Sequence, residues 1–170
     1  GTSTNSYNTA VGYHAGNDIT TGIGNTILGG FTGDAISDAD YNTALGQGAM
    51  GTNETGSLNT AVGAYALFTM NFGSATDGLN TAVGRSAMYG LTTGVRNTSV
   101  GHLSLSATVS GNDNIAVGVN AGATVSSGNS NTFVGNYAGD ATDDGVGNVA
   151  VGYNALGANC ANYNTAVGYE

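Results

Sequence analysis

The sequence lacks most of the residues on which binding and catalytic sites usually depend. Proline, tryptophan and lysine are absent, arginine occurs only as Arg85 and Arg96, and Cys160 is the one cysteine. The two arginines are too few to neutralise a phosphate backbone and the net charge of −9 repels one, so we expect no nucleic-acid partner. A single cysteine excludes an intrachain disulfide framework. No apolar run reaches the ~18 residues of a membrane span, so we expect no membrane insertion.

What the chain does contain is a repeat. Glycine, threonine, asparagine and serine make up about half of the 170 residues, a composition typical of disordered polymers. The pentapeptide Asn-Thr-Ala-Val-Gly and its variants nevertheless recur ten times, and seven of the nine intervals are 17 residues, the others being 21 and 16. Residues 1–170 are therefore predicted to be a single repeat domain, and we expect it to be a segment of a longer fibre.

The motif predicts an all-β fold: a β-solenoid, or parallel β-roll, of about ten 17-residue coils. Small residues alternate with β-branched ones, so Thr and Val share one face of a short strand while Asn and Ala share the other. Ile115 and Val149 replace the Thr in two copies. This replacement favours the Thr–Val face as the interior one, and on that interpretation Val117→Asp should destabilise the protein strongly.

Two residues of the motif never change. The Asn should stack from coil to coil and form a ladder of side-chain amide hydrogen bonds. The Gly should occupy a corner where φ is positive or backbones approach closely. The predicted ladder is Asn8, Asn25, Asn42, Asn59, Asn80, Asn97, Asn114, Asn131, Asn148 and Asn164, and the predicted turn glycines are Gly12, Gly29, Gly46, Gly63, Gly84, Gly101, Gly118, Gly135, Gly152 and Gly168.

Each coil holds only about two to four sizeable hydrophobes, so a lone solenoid is expected to be marginal in stability. Self-association would cover part of its surface. The Asn–Ala face is built of small groups that suit close packing against a copy of itself, and three chains are the simplest closed arrangement. We therefore expect a homotrimer or an end-to-end filament.

Several motifs resemble repeats of known families. Asn114-Ile115-Ala116-Val117-Gly118 and Asn148-Val149-Ala150-Val151-Gly152 are similar to the head repeats of trimeric autotransporter adhesins. The segments 164–169 and 148–156 resemble even more the repeats of phage tail-fibre shafts. The resemblance covers most of the chain, from Asn8 to Glu170, and implies a left-handed parallel β-roll, a homotrimer and display on a bacterial or virion surface.

These observations predict a structural role. The chain is expected to be a rigid shaft or head of an extracellular or virion-surface fibre that serves attachment to a host or another surface, with a surface glycan or receptor as partner. The alternative is a self-polymerising extracellular matrix filament. No enzyme, cofactor or metal is predicted, because His14 and His102 share no ligand spacing, the serines lie outside any nucleophile-elbow pattern, and no carboxylate pair stands out.

Three groups of residues are candidates for contact sites. The 21-residue interval contains Phe68, Met70 and Phe72, a possible surface contact loop, although tucking of these rings into a groove between chains is favoured. Tyrosines flank the motif and are candidates for a carbohydrate-binding stripe, or more simply for shielding the solenoid edge: Tyr7, Tyr41 and Tyr163 before the Asn, and Tyr13, Tyr153 and Tyr169 after the Gly. Two acidic groups could offer oxygen ligands to Ca²⁺: Asp34, Asp38 and Asp40, and Asp140, Asp143 and Asp144. Neither group has the spacing of a known Ca²⁺-binding motif, so the favoured interpretation is solvated carboxylates in turns.

An ice-binding array of stacked threonines is the last alternative. It is disfavoured on the assumption that Thr lies on the same inward face as Val.

Overall fold

Every motif folds as a three-residue strand, and the strands stack in the order of the chain. The computed structural model describes residues 6–107 and 110–170. Ten motif strands form one parallel sheet, and two further strands, one just before the 21-residue interval and one within it, form a second, two-stranded parallel sheet. The motif strands are β1 (Thr9–Val11), β2 (Thr26–Leu28), β3 (Thr43–Leu45), β5 (Thr60–Val62), β7 (Thr81–Val83), β8 (Thr98–Val100), β9 (Ile115–Val117), β10 (Thr132–Val134), β11 (Val149–Val151) and β12 (Thr165–Val167), and the other two are β4 (Gly56–Ser57) and β6 (Thr76–Asp77).

The pairing places equivalent residues of successive motifs side by side. Thr98 pairs with Ile115, and Ile115 pairs with Thr132, so one coil advances the chain by one strand position. The fold is thus the all-β parallel solenoid that the period predicts. Within residues 6–107 and 110–170 there is no helix that is long and apolar enough to cross a membrane.

Left-handed backbone conformations close the coils. All ten motif glycines have φ between 122° and 143°, a conformation open almost only to glycine. At Gly118, an added Cβ would overlap the carbonyl group of Gly135 in the next coil. Residues other than glycine also adopt the left-handed conformation in the turns. Examples are Leu79 (φ 53°), directly before a ladder Asn, and Tyr65 (φ 60°), two residues after a motif Gly.

The core is narrow, and side-chain sizes compensate across it. Where the middle strand residue is Ala, as at Ala44, the turn six residues later supplies a large side chain such as the buried Met50. The relation reverses at Phe133, where the turn residue is Gly139 and an added Cβ would strike the Phe133 ring. The coil of Ala116 has small residues at both positions, and the side chains of Phe133 and Leu105 from its neighbours approach Gly122 there. The middle strand position therefore points inward, and side-chain sizes are balanced across the core within a coil or between neighbouring coils.

This arrangement corrects the predicted assignment of faces. The Asn–Ala side is the interior: Ala116 and Asn114 are fully buried. The Thr–Val side is the exterior, with Ile115 and Val117 exposed by 43% and 38%. The prediction was wrong because Ile and Val replacing Thr mark an apolar face without showing that it is an inner one. The inner position is identified instead by the exchange of Ala for Phe133 opposite a glycine.

The motif asparagines lie in one buried column. At each of the nine steps the backbone N–H of an Asn donates to the side-chain oxygen of the Asn in the preceding coil, at 2.7–3.1 Å. At eight steps the side-chain Nδ2 donates to that same oxygen, at 3.0–3.3 Å. Most ladder amides donate their second hydrogen to a backbone carbonyl 14 residues further on, as Asn97 does to Gly111 (3.0 Å). The ladder thus satisfies buried polar groups in nearly every coil.

One ladder residue departs from this pattern. Asn148 has no hydrogen-bond partner for its Nδ2 among the described residues. The interval that follows it is the short one of 16 residues, so the carbonyl that other ladder amides reach is displaced. The nearby Thr142 hydroxyl, also buried, lacks a partner in the described part of the chain as well.

Candidate functional site

The outer side of the large sheet is a flat strip two side chains wide, which we call the Thr–Val face. It consists of the first and third residues of the ten motif strands, and none of these residues is charged. In four coils of its second half the third-position valine is 37–38% exposed: Val100, Val117, Val134 and Val151. The ion pair of Arg96 with Asp113 lies one residue before the ladder Asn, outside this face. The face therefore presents an uncharged, largely apolar strip along the solenoid.

Beyond the motif-glycine corner, the turn carries aromatic side chains in three short clusters, and the first two lie near each other. In the first, the Phe31 ring stacks on His14 (centroids 5.6 Å apart, planes at 21°) and meets Tyr13 edge-on at 5.3 Å. In the second, the Phe68 ring meets Tyr65 edge-on at 5.6 Å. Phe68 also stacks on Tyr89 at 5.3 Å, with planes 12° apart. Each cluster holds its rings in place by contact with further rings.

A groove of about 380 Å³ lies between the first two clusters. Phe31 and Asp34 from one coil form one wall, and Tyr65 and Phe68 from the coil two layers away form the other. The coil between them has glycine where its neighbours have these larger residues: Gly48 stands in the column of Phe31 and Tyr65, and Gly51 stands in the column of Asp34 and Phe68. The groove is therefore a gap one coil high between these two aromatic clusters.

The floor of the groove depends on the missing side chains. An added Cβ at Gly48 would lie 2.9 Å from the Tyr65 ring, and one at Gly51 would lie 2.6 Å from the Phe68 ring. Gln47 is exposed at the rim. Among the described residues, neither the Gln47 amide nor the Asp34 carboxylate is engaged in a side-chain hydrogen bond, so both are available to a ligand.

The structure separates the three residues of the predicted contact loop. Met70 is fully buried in the core, so its assignment to a surface contact was wrong. Phe72 is half-buried and packs against the core cluster. Phe68 lines the groove. The longer interval forms β6 and an exposed tip at Gly73 and Ser74.

The predicted tyrosine stripe is discontinuous. Tyr153 and Tyr169 stack at 5.3 Å with planes 12° apart, and Tyr137 meets Tyr153 edge-on at 5.7 Å. These rings lie far along the solenoid from Tyr13, which belongs to the first aromatic cluster. Before the ladder Asn, the Tyr41 ring covers Gly24 rather than another ring.

The two acidic groups form separate surface carboxylates. Asp34 lines the groove, while Asp40 accepts a hydrogen bond from the Ile23 backbone N–H (2.8 Å). In the second group, partial burial raises the pKa of Asp140, and Asp143 accepts a hydrogen bond from a serine hydroxyl. Over residues 6–107 and 110–170, no three His, Cys, Asp or Glu side chains gather in a way that would hold a metal ion.

The other reactive side chains make ordinary local contacts. His14 stacks on Phe31, and the His102 Nδ1 lies 3.2 Å from the Arg85 carbonyl oxygen. The Cys160 thiol donates to the Ala158 carbonyl at 3.0 Å. Asp34 is the single carboxylate among the described residues that line the groove, whereas glycoside cleavage uses two.

One ion pair bridges two coils at the edge of the Thr–Val face. Arg96 Nε donates to Asp113 Oδ1 at 2.6 Å, and its Nη2 donates to Oδ2 at 2.8 Å. These hydrogen bonds lower the pKa of the Asp113 carboxyl and raise that of the Arg96 guanidinium. Both side chains are about half exposed, so the pair contributes little to stability.

The strand order and the asparagine ladder define the class of this molecule: it is a parallel β-solenoid repeat protein. Comparison of the chain with protein-family models, with curated proteins and with solved structures gave no match.

Proposed function

We propose that this chain is a rigid segment of a fibre on a cell or virion surface, acting as a shaft or head in attachment to a host or another surface. Support comes first from its shape. Ten strands stacked at about 4.8 Å per layer extend over roughly 43 Å. Backbone hydrogen bonds join every pair of neighbouring coils, and the buried asparagine ladder runs beside them. Such a structure resists bending and presents its turns at fixed spacing.

The fibre is proposed to be a homotrimer that packs through the Thr–Val face. The single observation that carries this proposal is that the face is uncharged, exposed and repeated along all ten motif strands. Val100, Val117, Val134 and Val151 keep more than a third of their surface exposed in the single chain, and a contiguous apolar strip of this kind is typical of an interaction surface. The Asn–Ala face, which the sequence favoured for this contact, is already filled by the chain's own core.

The resemblance of the motifs to adhesin heads and tail-fibre shafts also supports a trimer. Asn114–Gly118 and Asn148–Gly152 carry that resemblance, and both segments contribute their first and third strand residues to the Thr–Val face. A trimeric arrangement would place three such faces around one axis and leave the aromatic turns outside.

The experiment compares two neighbouring residues that point to opposite sides of one strand. Ala116 is fully buried, whereas Val117 is 38% exposed. The wild-type chain should sediment at three times its mass of 16.7 kDa. Val117→Asp should dissociate the trimer while the β-sheet circular dichroism persists, because the charge lies at the interface. Ala116→Asp should abolish the folded structure, because it places a charge in the core.

Each outcome bears on the proposal. A monomeric wild-type chain, or a Val117→Asp variant that remains trimeric, would refute packing through the Thr–Val face. Species far longer than a trimer that lie end to end in electron micrographs would favour the matrix filament instead.

Ice binding is a second candidate function, and the outward position of the threonines favours it. The face carries Thr hydroxyls and methyls in a regular array, about 4.8 Å apart along the solenoid and about 7 Å from the valine column across it. The sequence disfavoured ice binding only on the assumption that the threonines point inward, and the structure places them on the outer face. The measurement is growth of ice crystals at sub-zero temperature: inhibition by the wild type that Thr98→Tyr abolishes would support ice binding, whereas no inhibition by the wild type would eliminate it.

A further inference from the structure

We propose that the groove between the coils of Phe31 and Phe68 binds one neutral pyranose ring. This proposal names a ligand for the attachment role, and in that respect it rests on the proposed function. The groove itself lies on the turn, beyond the motif-glycine corner, so its existence does not depend on how the Thr–Val faces pack.

The height of the groove matches one ring. Its walls come from coils two layers apart, separated by about 9.6 Å. In the neighbouring coils the same columns hold side chains one layer apart, and the stacked rings of Phe68 and Tyr89 are 5.3 Å apart. The rings of Tyr65 and Phe68 lie against Gly48 and Gly51, because an added Cβ at either glycine would come within 2.9 Å of them. The free volume of about 380 Å³ therefore lies between these rings and Phe31, and a pyranose ring placed there would contact both walls.

The chemistry of the lining favours a sugar. The rings of Phe31, Tyr65 and Phe68 offer apolar surfaces to the C–H faces of a pyranose. The Asp34 carboxylate and the Gln47 amide stand at the same opening and can bind its hydroxyl groups. A small number of free polar groups among aromatic walls is the usual composition of a ligand pocket.

Charge narrows the class of sugar. Asp34 is the charged residue among those that line the groove, and the chain as a whole carries −9. An acidic sugar or a phosphate ester would be repelled, whereas a neutral hexose would not. Both walls are held by contacts to further rings, His14 and Tyr13 on one side and Tyr89 on the other, so the groove is formed before the ligand arrives.

The test is saturation-transfer NMR of the purified chain. The probes are the methyl glycosides of glucose, galactose and mannose, together with N-acetylglucosamine, N-acetylneuraminic acid and indole. At least one neutral sugar should bind, with a dissociation constant on the order of 1 mM, as expected for a ligand of so few atoms.

Two variants locate the site, and a third is the matched control. Gly48→Tyr fills the gap and should weaken binding at least tenfold. The backbone conformation suits an aromatic residue there, because Phe31 and Tyr65 occupy the same column at φ 53° and 60°, against 64° at Gly48. The new Cβ would lie 2.9 Å from the Tyr65 ring, so that ring has to shift as the gap is filled. Tyr65→Ser removes part of one wall and should weaken binding similarly, while Tyr137→Ser, at the equivalent position of a distant coil, should leave it unchanged.

Absence of saturable binding by every neutral sugar, or binding that survives Gly48→Tyr, would overturn the proposal. Preferential binding of N-acetylneuraminic acid or of indole would equally overturn it, because the lining would then select a charge or a generic apolar ring. The oligomeric state of the chain is measured separately, so failure of sugar binding is distinguishable from failure of the fibre proposal.

Discussion

Replacement of Asn114 by aspartate exchanges one amide NH₂ for an oxygen inside the asparagine ladder. The Asn114 side chain is fully buried. Its Nδ2 donates to the side-chain oxygen of Asn97 (3.1 Å) and to the Gly128 carbonyl (2.8 Å), while its Oδ1 accepts from the N–H (3.0 Å) and Nδ2 (3.1 Å) of Asn131. In Asn114→Asp the accepting side is unchanged, but the donating side now presents a carboxylate oxygen to two other oxygens.

The loss in free energy of unfolding that Asn114→Asp causes follows from the pKa of the new carboxyl. Burial raises the pKa of an aspartate above its ordinary ~3.9, and the two retained donors oppose part of that shift, so we take a rise of about 2–4 units. At 1.36 kcal/mol per unit this amounts to about 3–4 kcal/mol at pH 7, where the largest shifts are not yet fully expressed. Because the pKa is higher in the folded state than in the unfolded state, the destabilisation is complete when the pH is above the folded-state pKa. It disappears when the pH is below the unfolded-state pKa. There the protonated carboxyl can also donate to the Gly128 carbonyl.

The assay is urea unfolding followed by circular dichroism at about pH 7 and about pH 4, at fixed chain concentration. Asn136→Asp is the matched control, because Asn136 is exposed and uses only its side-chain oxygen, which accepts from the Val119 N–H (2.9 Å). The difference in unfolding free energy between the two variants should be about 3–4 kcal/mol at pH 7 and should shrink at pH 4. Equal stabilities at pH 7, or a difference independent of pH, would refute the role assigned to the ladder amides.

Three further predictions concern turns and charges. Gly118→Ala should lower the free energy of unfolding by at least about 3 kcal/mol in thermal melts, because its φ of 140° suits only glycine and its Cβ meets the next coil. Gly73→Ala pays only the left-handed backbone cost at φ 68°, with nothing within 4 Å of its Cβ, and should lose about 1–2 kcal/mol; similar losses in the two variants would contradict the close approach. Leu79→Asn should raise the melting temperature, because Asn tolerates the left-handed backbone at φ 53° about 1 kcal/mol better than Leu; a lower melting temperature would count against strain there. Arg96→Gln should raise the pKa of Asp113 towards its ordinary value in an NMR titration, because the hydrogen bonds to the guanidinium are lost; an unchanged pKa would contradict the ion pair.

The fold class was accessible from the sequence because a solenoid repeats its constraints. The 17-residue interval between Asn97 and Asn114 is the distance along the chain from one layer to the next, and Thr98 does pair with Ile115. Alternation within the motif also showed which residues share a face. These conclusions need only local periodicity, which the printed sequence contains in full.

The choice of inner face was not accessible by the same reasoning. Alternation along a strand groups its first and third residues together, but it does not say which side the rest of the coil covers. That choice depends on contacts across the coil, six residues away: Ala44 opposite Met50, and Phe133 opposite Gly139. The compensation in size is visible in the sequence once these positions are compared, and it would have given the correct answer.

The sequence by itself determined a stack of parallel coils with asparagine and glycine at fixed positions, because each coil meets the same local requirements. Only the tertiary structure decided that Met70 is buried, that the Thr–Val face is open, and that a ring-sized groove separates Phe31 from Phe68. Gly48 and Gly51 look like any other glycines along the chain. They form a groove because stacking brings the aromatic residues of the coils on either side, 17 residues away in each direction, to its two walls.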